Sequence, residues 1–153
     1  MAYAENTTVS SEKSRAEIER TLSRYGASSF MYGWNQTYAQ IAFDMNGRRI
    51  HFKLAMPDKS GSEITQTPTG KPRSAGAAEQ AYEQAVRQRW RALSLVIKAK
   101  LEAVEAGITE FEEEFLAHIV LPNGGTVGQF MLPQVEQSYA TGQMPPLLPG
   151  PHY

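Results

Sequence analysis

The chain of 153 residues contains no cysteine and only three histidines. Without cysteine there is no disulfide framework, no cysteine nucleophile and no cysteine-ligated zinc site. The histidines, His51, His118 and His152, lie far apart in sequence, and no H-E-x-x-H motif is present. Glu114 and His118 have the i,i+4 spacing of helix neighbours, but two side chains do not complete a metal site. We therefore predict neither a metal ion nor a cofactor.

Long apolar runs are also missing. No apolar run approaches the roughly 18 residues of a membrane span, and residues 1–10 lack the apolar core of a secretory signal. The sequence therefore predicts a soluble protein without a membrane partner. Its length fits one domain with a sizeable core.

Catalytic motifs are equally scarce. Gly70-Lys71 resembles the end of a phosphate-binding loop, but Pro72 follows and no helix begins there. There is no G-x-G-x-x-G, no G-x-S-x-G and no pattern that joins a nucleophile to a base. We expect a protein that is not an enzyme.

The first part of the chain predicts an arm, a helix and a hairpin. Residues 1–10 are expected to form a flexible arm, and a helix is expected over 11–25 with a capping box at Ser14 and Glu17. Asn46-Gly47 is a strong hairpin signal, because both residues tolerate the positive φ of a type I′ turn. The three expected strands of this antiparallel meander are Ser29–Trp34, Tyr38–Met45 and Arg48–Ala55.

A two-residue turn fixes the register of the hairpin, with Met45 opposite Arg48 and Phe43 opposite Ile50. One face of the sheet is then apolar and the other is polar. The predicted inner face carries Ala39, Ile41, Phe43, Ile50, Phe52 and Leu54. The predicted outer face carries Tyr38, Gln40, Asp44, Arg49, His51 and Lys53.

A polar, proline-containing segment, residues 57–76, is expected to be a mobile loop. A helix of about 30 residues follows over 77–106, at roughly 45 Å, with apolar residues every three or four positions. Strands of eight residues span only about 27 Å, so the surplus helix length suggests a second copy of the chain. The apolar seam of this helix contains Tyr82, Val86, Trp90, Leu93, Ile97, Leu101 and Val104.

Shorter helices are expected near the C-terminus. Thr109 and Glu112 form a possible capping box for a short acidic helix, and Thr126 and Gln129 form another for a helix over 127–141, kinked at Pro133. Residues 142–153 are proline-rich and predict an extended arm. The expected fold is thus α+β, with a single domain over 11–141 between two terminal arms.

The small net charge of −1 hides a separation of charges along the chain. Residues 84–101 contain five basic and no acidic residues, whereas residues 102–114 contain six glutamates and no base. Such a layout is typical of a solvated helix face, and it also suits recognition of a charged partner. Arg89 and Lys100 project towards the edge of the apolar seam. The candidate ligand-binding residues are therefore Arg89, Trp90, Arg91 and Lys100, with residues 57–76 as a lid.

An alternative site lies on the predicted outer sheet face. The order of one helix, three strands and a second helix is similar to that of double-stranded RNA-binding domains, and a hairpin sheet followed by a helix is similar to single-strand annealing proteins. Bases and aromatics are mixed on this face, with Tyr32 or Trp34 expected beside it. The nucleic-acid candidates are Tyr38, Arg49, His51 and Lys53.

Several segments together resemble small uncharacterised proteins carried by bacteriophages and prophages. The resemblance covers nearly the whole chain and is carried by residues 14–20 (SRAEIER), 25–27 (YGA), 90–93 (WRAL), 97–103 (IKAKLEA), 120–128 (VLPNGGTVG) and 142–149 (GQMPPLLP). It implies a small phage protein acting in the cytoplasm of the bacterial host, and it brings no activity or functional residues.

These observations favour a non-enzymatic phage accessory protein, a homo-oligomer that acts by stoichiometric binding. The leading hypothesis is inhibition of host antiphage defence, either by sequestering a signalling nucleotide or by blocking a defence protein. Arginine would pair with phosphate and an aromatic ring would stack on a base. The alternatives are a nucleic-acid-binding accessory protein of phage recombination or replication, and a virion or assembly component.

Overall fold

The computed structural model describes the backbone of residues 2–144 and the side chains of residues 12–144. It confirms the predicted α+β fold, with a three-stranded antiparallel sheet in the order β1-β2-β3. Within this part of the chain, every helix is too short or too polar to cross a membrane. The elements are α1 (Ala2–Arg24), β1 (Ser29–Trp34), β2 (Tyr38–Met45), β3 (Arg48–Ala55), α2 (Ser62–Thr65), α3 (Ala75–Glu105), α4 (Phe111–Glu114), a 3₁₀ turn (Leu116–His118) and α5 (Val127–Thr141).

The hairpin of β2 and β3 has the predicted register. Asn46 and Gly47 have φ of +53° and +75°, as a type I′ turn requires. Met45 pairs with Arg48, and Phe43 pairs with Ile50. The predicted inner face is buried except for Leu54, which is half-buried near the end of its strand. The register follows from the turn and the burial pattern together, since a slip of one residue would expose this whole face.

Helix α3 carries the predicted apolar seam. It begins after Ser74, whose side chain accepts a hydrogen bond from the Ala77 amide, and ends at Glu105. The seam is buried along the middle of the helix, while Tyr82 and Val104 at its two ends are only partly buried. Each buried side chain contributes roughly 1.5–3 kcal/mol relative to exposure. The buried members are Val86, Trp90, Leu93, Ile97 and Leu101.

The first helix is longer than the sequence predicted. It begins at Ala2 instead of residue 11, so the backbone of residues 2–10, expected as an arm, is helical. Ser14 lies within this helix, so the expected capping box of Ser14 and Glu17 does not mark its start. Ile18 and Leu22 are fully buried and join the inner sheet face and α3 in one core.

The surplus length of α3 is covered from within the chain. Helix α3 packs along α1, and it also contacts the short helices α2 and α4. The length of α3 therefore does not by itself call for a second copy, because elements outside the sheet take up the extra turns.

The segment 57–76, expected as a mobile loop, contains regular structure. Helix α2 lies within it, and Ile64 is only 2% exposed. Gln66 and Pro72 form an antiparallel bridge, and Arg73 donates to the carbonyl oxygens of Glu63 and Ile64. One buried isoleucine and these hydrogen bonds give the segment a defined conformation despite its polar composition.

The C-terminal elements follow the prediction in part. Helix α4 starts after Glu110 without a side-chain cap, and Thr109 instead donates to Glu114, so the proposed Thr109 capping box is wrong. The capping box of Thr126 and Gln129 is present with both of its hydrogen bonds. Helix α5 runs continuously through Pro133. Of the predicted arm over 142–153, residues 145–153 lie outside the described part of the chain.

Candidate ligand-binding cleft

The four candidate residues on α3 lie in four different environments. Trp90 is 2% exposed and belongs to the core. Arg89 forms an ion pair with Glu63, at 3.5 Å between Nη1 and Oε1. Lys100 lies eleven positions further along the helix, or about 16 Å. Its Nζ donates to Oε2 of Glu114 at 2.9 Å and to the Glu114 carbonyl oxygen at 3.1 Å.

Arg91 is exposed on a further side of the helix. The structure therefore does not bring the four candidates together around one ligand. Their grouping followed from closeness in sequence, whereas successive helix positions point in directions about 100° apart. The Lys100 ammonium is held by Glu114, and this hydrogen bond is the main cause that lowers the pKa of the Glu114 carboxyl.

The four outer-face candidates do share one face of the sheet. Lys53 lies over the Tyr38 ring, with Nζ 4.2 Å from its centroid. Arg49 makes a bidentate contact with Asp44 at 2.9 and 3.1 Å, and this contact lowers the pKa of Asp44 to about 2. His51 bonds to Gln40 through Nε2.

The charge left on this outer face is small. The carboxylate of Asp44 neutralises Arg49, and burial followed by the nearby Lys53 charge lowers the pKa of His51. His51 is therefore neutral at pH 7. Tyr32 and Trp34, expected beside this face, lie on the opposite side, because Trp34 pairs with the buried Ala39 and Tyr32 with the buried Ile41.

A concave site lies at the end of the sheet where β1 passes into β2. It is an open cleft of about 650 Å³ between the sheet, α1 and α3, and we call it the aromatic cleft. A volume of a few hundred Å³ is typical of small-molecule sites. Its walls are formed by four aromatic rings and by the segment after β3. The rings are Tyr32, Trp34, Tyr82 and Trp90, and the segment is 56–59.

Arg15 is the most unusual residue of the aromatic cleft. The Cζ atom of its guanidinium lies 3.9 Å from the centroid of the Tyr32 ring. The Nε atom is buried and has no hydrogen-bond partner, and the closest approach to Glu12 is a long 3.9 Å. The side chain as a whole is 22% exposed, so a ligand reaches atoms of Arg15 other than Nε.

The rings of the aromatic cleft are held by the core and by a rigid turn. Trp90 packs against Tyr32, with centroids 5.6 Å apart. The Asn35 side chain accepts hydrogen bonds from the Thr37 and Tyr38 amides at 2.8 and 2.9 Å, which fixes the turn that follows Trp34. Trp34 is 70% exposed at the rim, so one face of a large ring is open to solvent.

A second cation lies on the far wall. Lys59 Nζ is 4.8 Å from the centroid of the Tyr82 ring. Asp58 beside it accepts from the Ser60 amide and hydroxyl, and these hydrogen bonds lower the pKa of its carboxyl.

Desolvation is the main cause that raises the pKa of Tyr32, against the opposing charge of Arg15. Tyr32 is therefore a neutral ring beneath a cation.

This lining is suited to binding. It offers ring faces and two cations, beside the Asp58 carboxylate, and such cations and ring faces suit a planar ring that carries a negative group. No histidine lines the cleft among the described residues. Searched over the same residues, the chain contains no cluster of three or more side chains able to hold a metal ion.

Sequence reasoning missed the aromatic cleft because its parts come from distant segments. Arg15 occupies an ordinary charged position of an amphipathic helix, and nothing in the sequence marks its contact with Tyr32. A usable signal was the pair of tryptophans, since both of the chain's tryptophans line this one cleft. No protein-family model matches the chain, and no curated protein or solved structure matches it either.

Proposed function

We propose that this protein is a non-enzymatic binding protein that sequesters a nucleotide in the aromatic cleft. One observation carries the proposal: the Arg15 guanidinium lies 3.9 Å from the centroid of the Tyr32 ring, in the same cleft as the exposed indole of Trp34. A cation and an open ring in one cleft match an anion that is joined to an aromatic group.

The recognition follows from these residues. A base stacks on Trp34, a contact worth about 1–3 kcal/mol in comparable sites. Phosphate oxygens accept hydrogen bonds from the in-plane donors of Arg15, at roughly 1.5–3 kcal/mol for charge-assisted bonds. Lys59 adds positive charge on the opposite wall.

The resemblance to phage and prophage proteins supplies the setting for this proposal. Sequestering a nucleotide signal of the host inhibits antiphage defence without any chemical step, because bound signal no longer reaches its receptor. The site of action is then the cytoplasm of the bacterial host. Stoichiometric capture requires only affinity and a protein concentration above that of the ligand.

Tryptophan fluorescence tests the proposal directly. The two tryptophans, Trp34 and Trp90, both line the aromatic cleft. We expect AMP or GMP to quench the emission saturably, and adenosine, which lacks the phosphate, to bind about 10–150-fold more weakly. Arg15→Gln lowers the AMP affinity towards that of adenosine. Arg20→Gln, an exposed position on the same helix, is the matched control and leaves the affinity unchanged.

Arg89→Glu separates the aromatic cleft from the site predicted on α3. Arg89 does not line the aromatic cleft, so this substitution leaves AMP binding intact. Loss of binding in Arg89→Glu with full binding in Arg15→Gln contradicts the cleft and restores the helix site. A protein that binds no mononucleotide but forms a stable complex with a host protein supports the blocking of a defence protein instead.

Nucleic-acid binding on the outer sheet face is the second candidate function. The observation in its favour is the placement of Lys53 over the Tyr38 ring on the outer face of the sheet, which puts a cation and an aromatic ring in contact there. Single-stranded nucleic acid binds such pairs by stacking and charge. The neutralisation of Arg49 by Asp44 counts against this candidate.

Fluorescence anisotropy with a labelled single-stranded oligonucleotide tests the second candidate. Binding through phosphates weakens steeply as salt rises, and Lys53→Glu abolishes it while Arg15→Gln does not. Absence of oligonucleotide binding at low salt rules out this use of the face.

A further inference from the structure

The two edges of the sheet are covered to different extents. Strand β1 forms one edge and pairs with β2, while β3 forms the opposite edge. Near the start of β3, Ile119 forms an antiparallel bridge with Ile50, and the Val120 amide donates to the Arg49 carbonyl oxygen at 2.8 Å. Among the residues that the structure describes, no strand or bridge lies along the outer edge of β1.

The register shows which backbone groups of β1 point away from the sheet. The Asn35 amide donates to the Tyr38 carbonyl oxygen at 2.8 Å, so every second residue before Asn35 directs its amide and carbonyl towards β2. The residues between them, Phe30, Tyr32 and Trp34, direct theirs to the open edge. Such an edge is a template for pairing with another extended chain.

Strand β1 lacks the charge and the proline that usually protect an edge. Charged side chains, lysine above all, and proline keep edge strands from pairing with other chains. Strand β3 carries Arg48, Arg49 and Lys53, whereas β1 has no charged residue and no proline. Its apolar side chains are accessible, since Met31 is 39% and Trp34 is 70% exposed. The open edge of β1 therefore suits a partner strand.

We propose that this edge is a homodimer interface, in which the β1 strands of two copies pair antiparallel about a twofold axis and form one six-stranded sheet. With the axis at Tyr32, the outward groups of Phe30 bond to those of the partner's Trp34, and Tyr32 bonds to the partner's Tyr32. On the outer face, Met31 lies opposite the partner's Gly33, so a long side chain faces a residue without one. The pairing is self-complementary, as a twofold interface must be.

The charges beside β1 are balanced within each copy. Arg15, which lies over the Tyr32 ring, has Glu12 at 3.9 Å. Asp44, which accepts a hydrogen bond from Ser29, is paired with Arg49. Two copies therefore meet at this edge without bringing together unbalanced charges of one sign.

The proline-rich end of the same chain is a poorer occupant of this edge. Residues 145–153 include four prolines, and proline has no amide to donate to a neighbouring strand. The β1 strand of a second copy offers an amide at each of its outward positions. A second copy therefore matches the edge better.

Analytical ultracentrifugation of the full chain tests the proposal. We expect the wild type to be a dimer at micromolar concentrations. Met31→Lys and Gly33→Glu, each alone, raise the dissociation constant at least about 10-fold, because each brings two like charges close to the axis. Ala55→Lys is the matched control, since Ala55 is exposed at the end of β3, on the opposite edge, and it leaves the dimer unchanged.

Mixing the two variants tests the register. In a mixed dimer, the lysine introduced by Met31→Lys lies opposite the glutamate introduced by Gly33→Glu, and the other pair remains Met31 opposite Gly33. We therefore expect an equimolar mixture to recover the dimer that each variant alone has lost. Recovery also shows that both variants are folded, because misfolded chains do not restore each other's pairing.

Each possible result decides for or against this pairing. A wild-type dimer that both variants dissociate and that their mixture restores supports the proposal. A wild-type monomer overturns it, and so does a dimer that persists in both variants or that only Ala55→Lys dissociates. Two monomeric variants that form no dimer on mixing overturn the pairing about Tyr32. None of these results depends on nucleotide binding.

Discussion

Replacing Arg15 by methionine is expected to weaken ligand binding without destabilising the protein. Methionine keeps an unbranched stem over Tyr32 and removes the guanidinium. Three interactions are lost or relieved: the cation–π contact with Tyr32, the long ion pair with Glu12, and the burial of the unpartnered Nε.

The free energies of these interactions predict that the variant is slightly more stable than the wild type. The cation–π contact is worth about 0.5–2 kcal/mol, and an exposed ion pair is worth about 0–1 kcal/mol. Removing the buried Nε donor, which has no acceptor, stabilises the folded state by about 1–3 kcal/mol. Contact of the methionine sulfur with the Tyr32 ring stabilises it further, by about 0.3–1.5 kcal/mol. With each contribution taken at the middle of its range, the free energy of unfolding is expected to rise by about 1 kcal/mol.

Urea denaturation followed by circular dichroism measures the stability, and tryptophan quenching by AMP measures the affinity. For Arg15→Met we expect an unchanged or higher free energy of unfolding, with AMP affinity reduced about 10–150-fold. Arg20→Met changes neither quantity. A loss of more than about 2 kcal/mol with intact AMP affinity would falsify the reasoning, because Arg15 would then serve the fold and not the ligand.

Three further predictions concern two residues of the fold and Lys100, a candidate residue that does not line the aromatic cleft. The pKa of His118 is lowered by burial against Phe52, so the unfolded chain binds the proton more readily. The free energy of unfolding therefore falls as pH drops below about 6.5, and His118→Gln reduces this slope in pH-dependent urea melts. Gly47→Ala lowers the free energy of unfolding by about 1 kcal/mol in the same melts, because Gly47 has a φ of +75°. Gly76→Ala, which lies within α3, does not lower it. Lys100→Ala lowers the melting temperature, because the Lys100 ammonium forms a hydrogen bond with Glu114. The AMP affinity of this variant stays unchanged. A reduced AMP affinity would show that Lys100 belongs to the ligand site.

The parts of the fold that sequence predicted are those governed by local rules. The Asn46-Gly47 turn fixes the hairpin register through two backbone conformations, and the Thr126 capping box needs only residues three positions apart. The apolar seam of α3 follows from helix periodicity. Each of these signals lies within a short window of sequence, so distant packing had little influence on the outcome.

The parts that failed depend on contacts between distant segments. Thr109 had a suitable partner for a capping box, but Glu114 draws its hydroxyl into a network with Lys100. Residues 57–76 looked unstructured because their two buried residues, Pro57 and Ile64, leave no periodic pattern. The aromatic cleft was missed for the same reason, since the contact between Arg15 and Tyr32 joins α1 to β1 and no spacing along the chain encodes it.

Nucleotide binding in the aromatic cleft is measured most directly by a two-dimensional ¹⁵N–¹H NMR titration of the labelled protein with AMP. The chain has two tryptophan indoles, and both line the aromatic cleft. If AMP binds in the aromatic cleft, both indole signals shift and saturate with AMP, adenosine shifts them weakly, and the amides of Arg49 and Lys53 stay in place. Unmoved indole signals at millimolar AMP, or shifts confined to the outer sheet face, would contradict it.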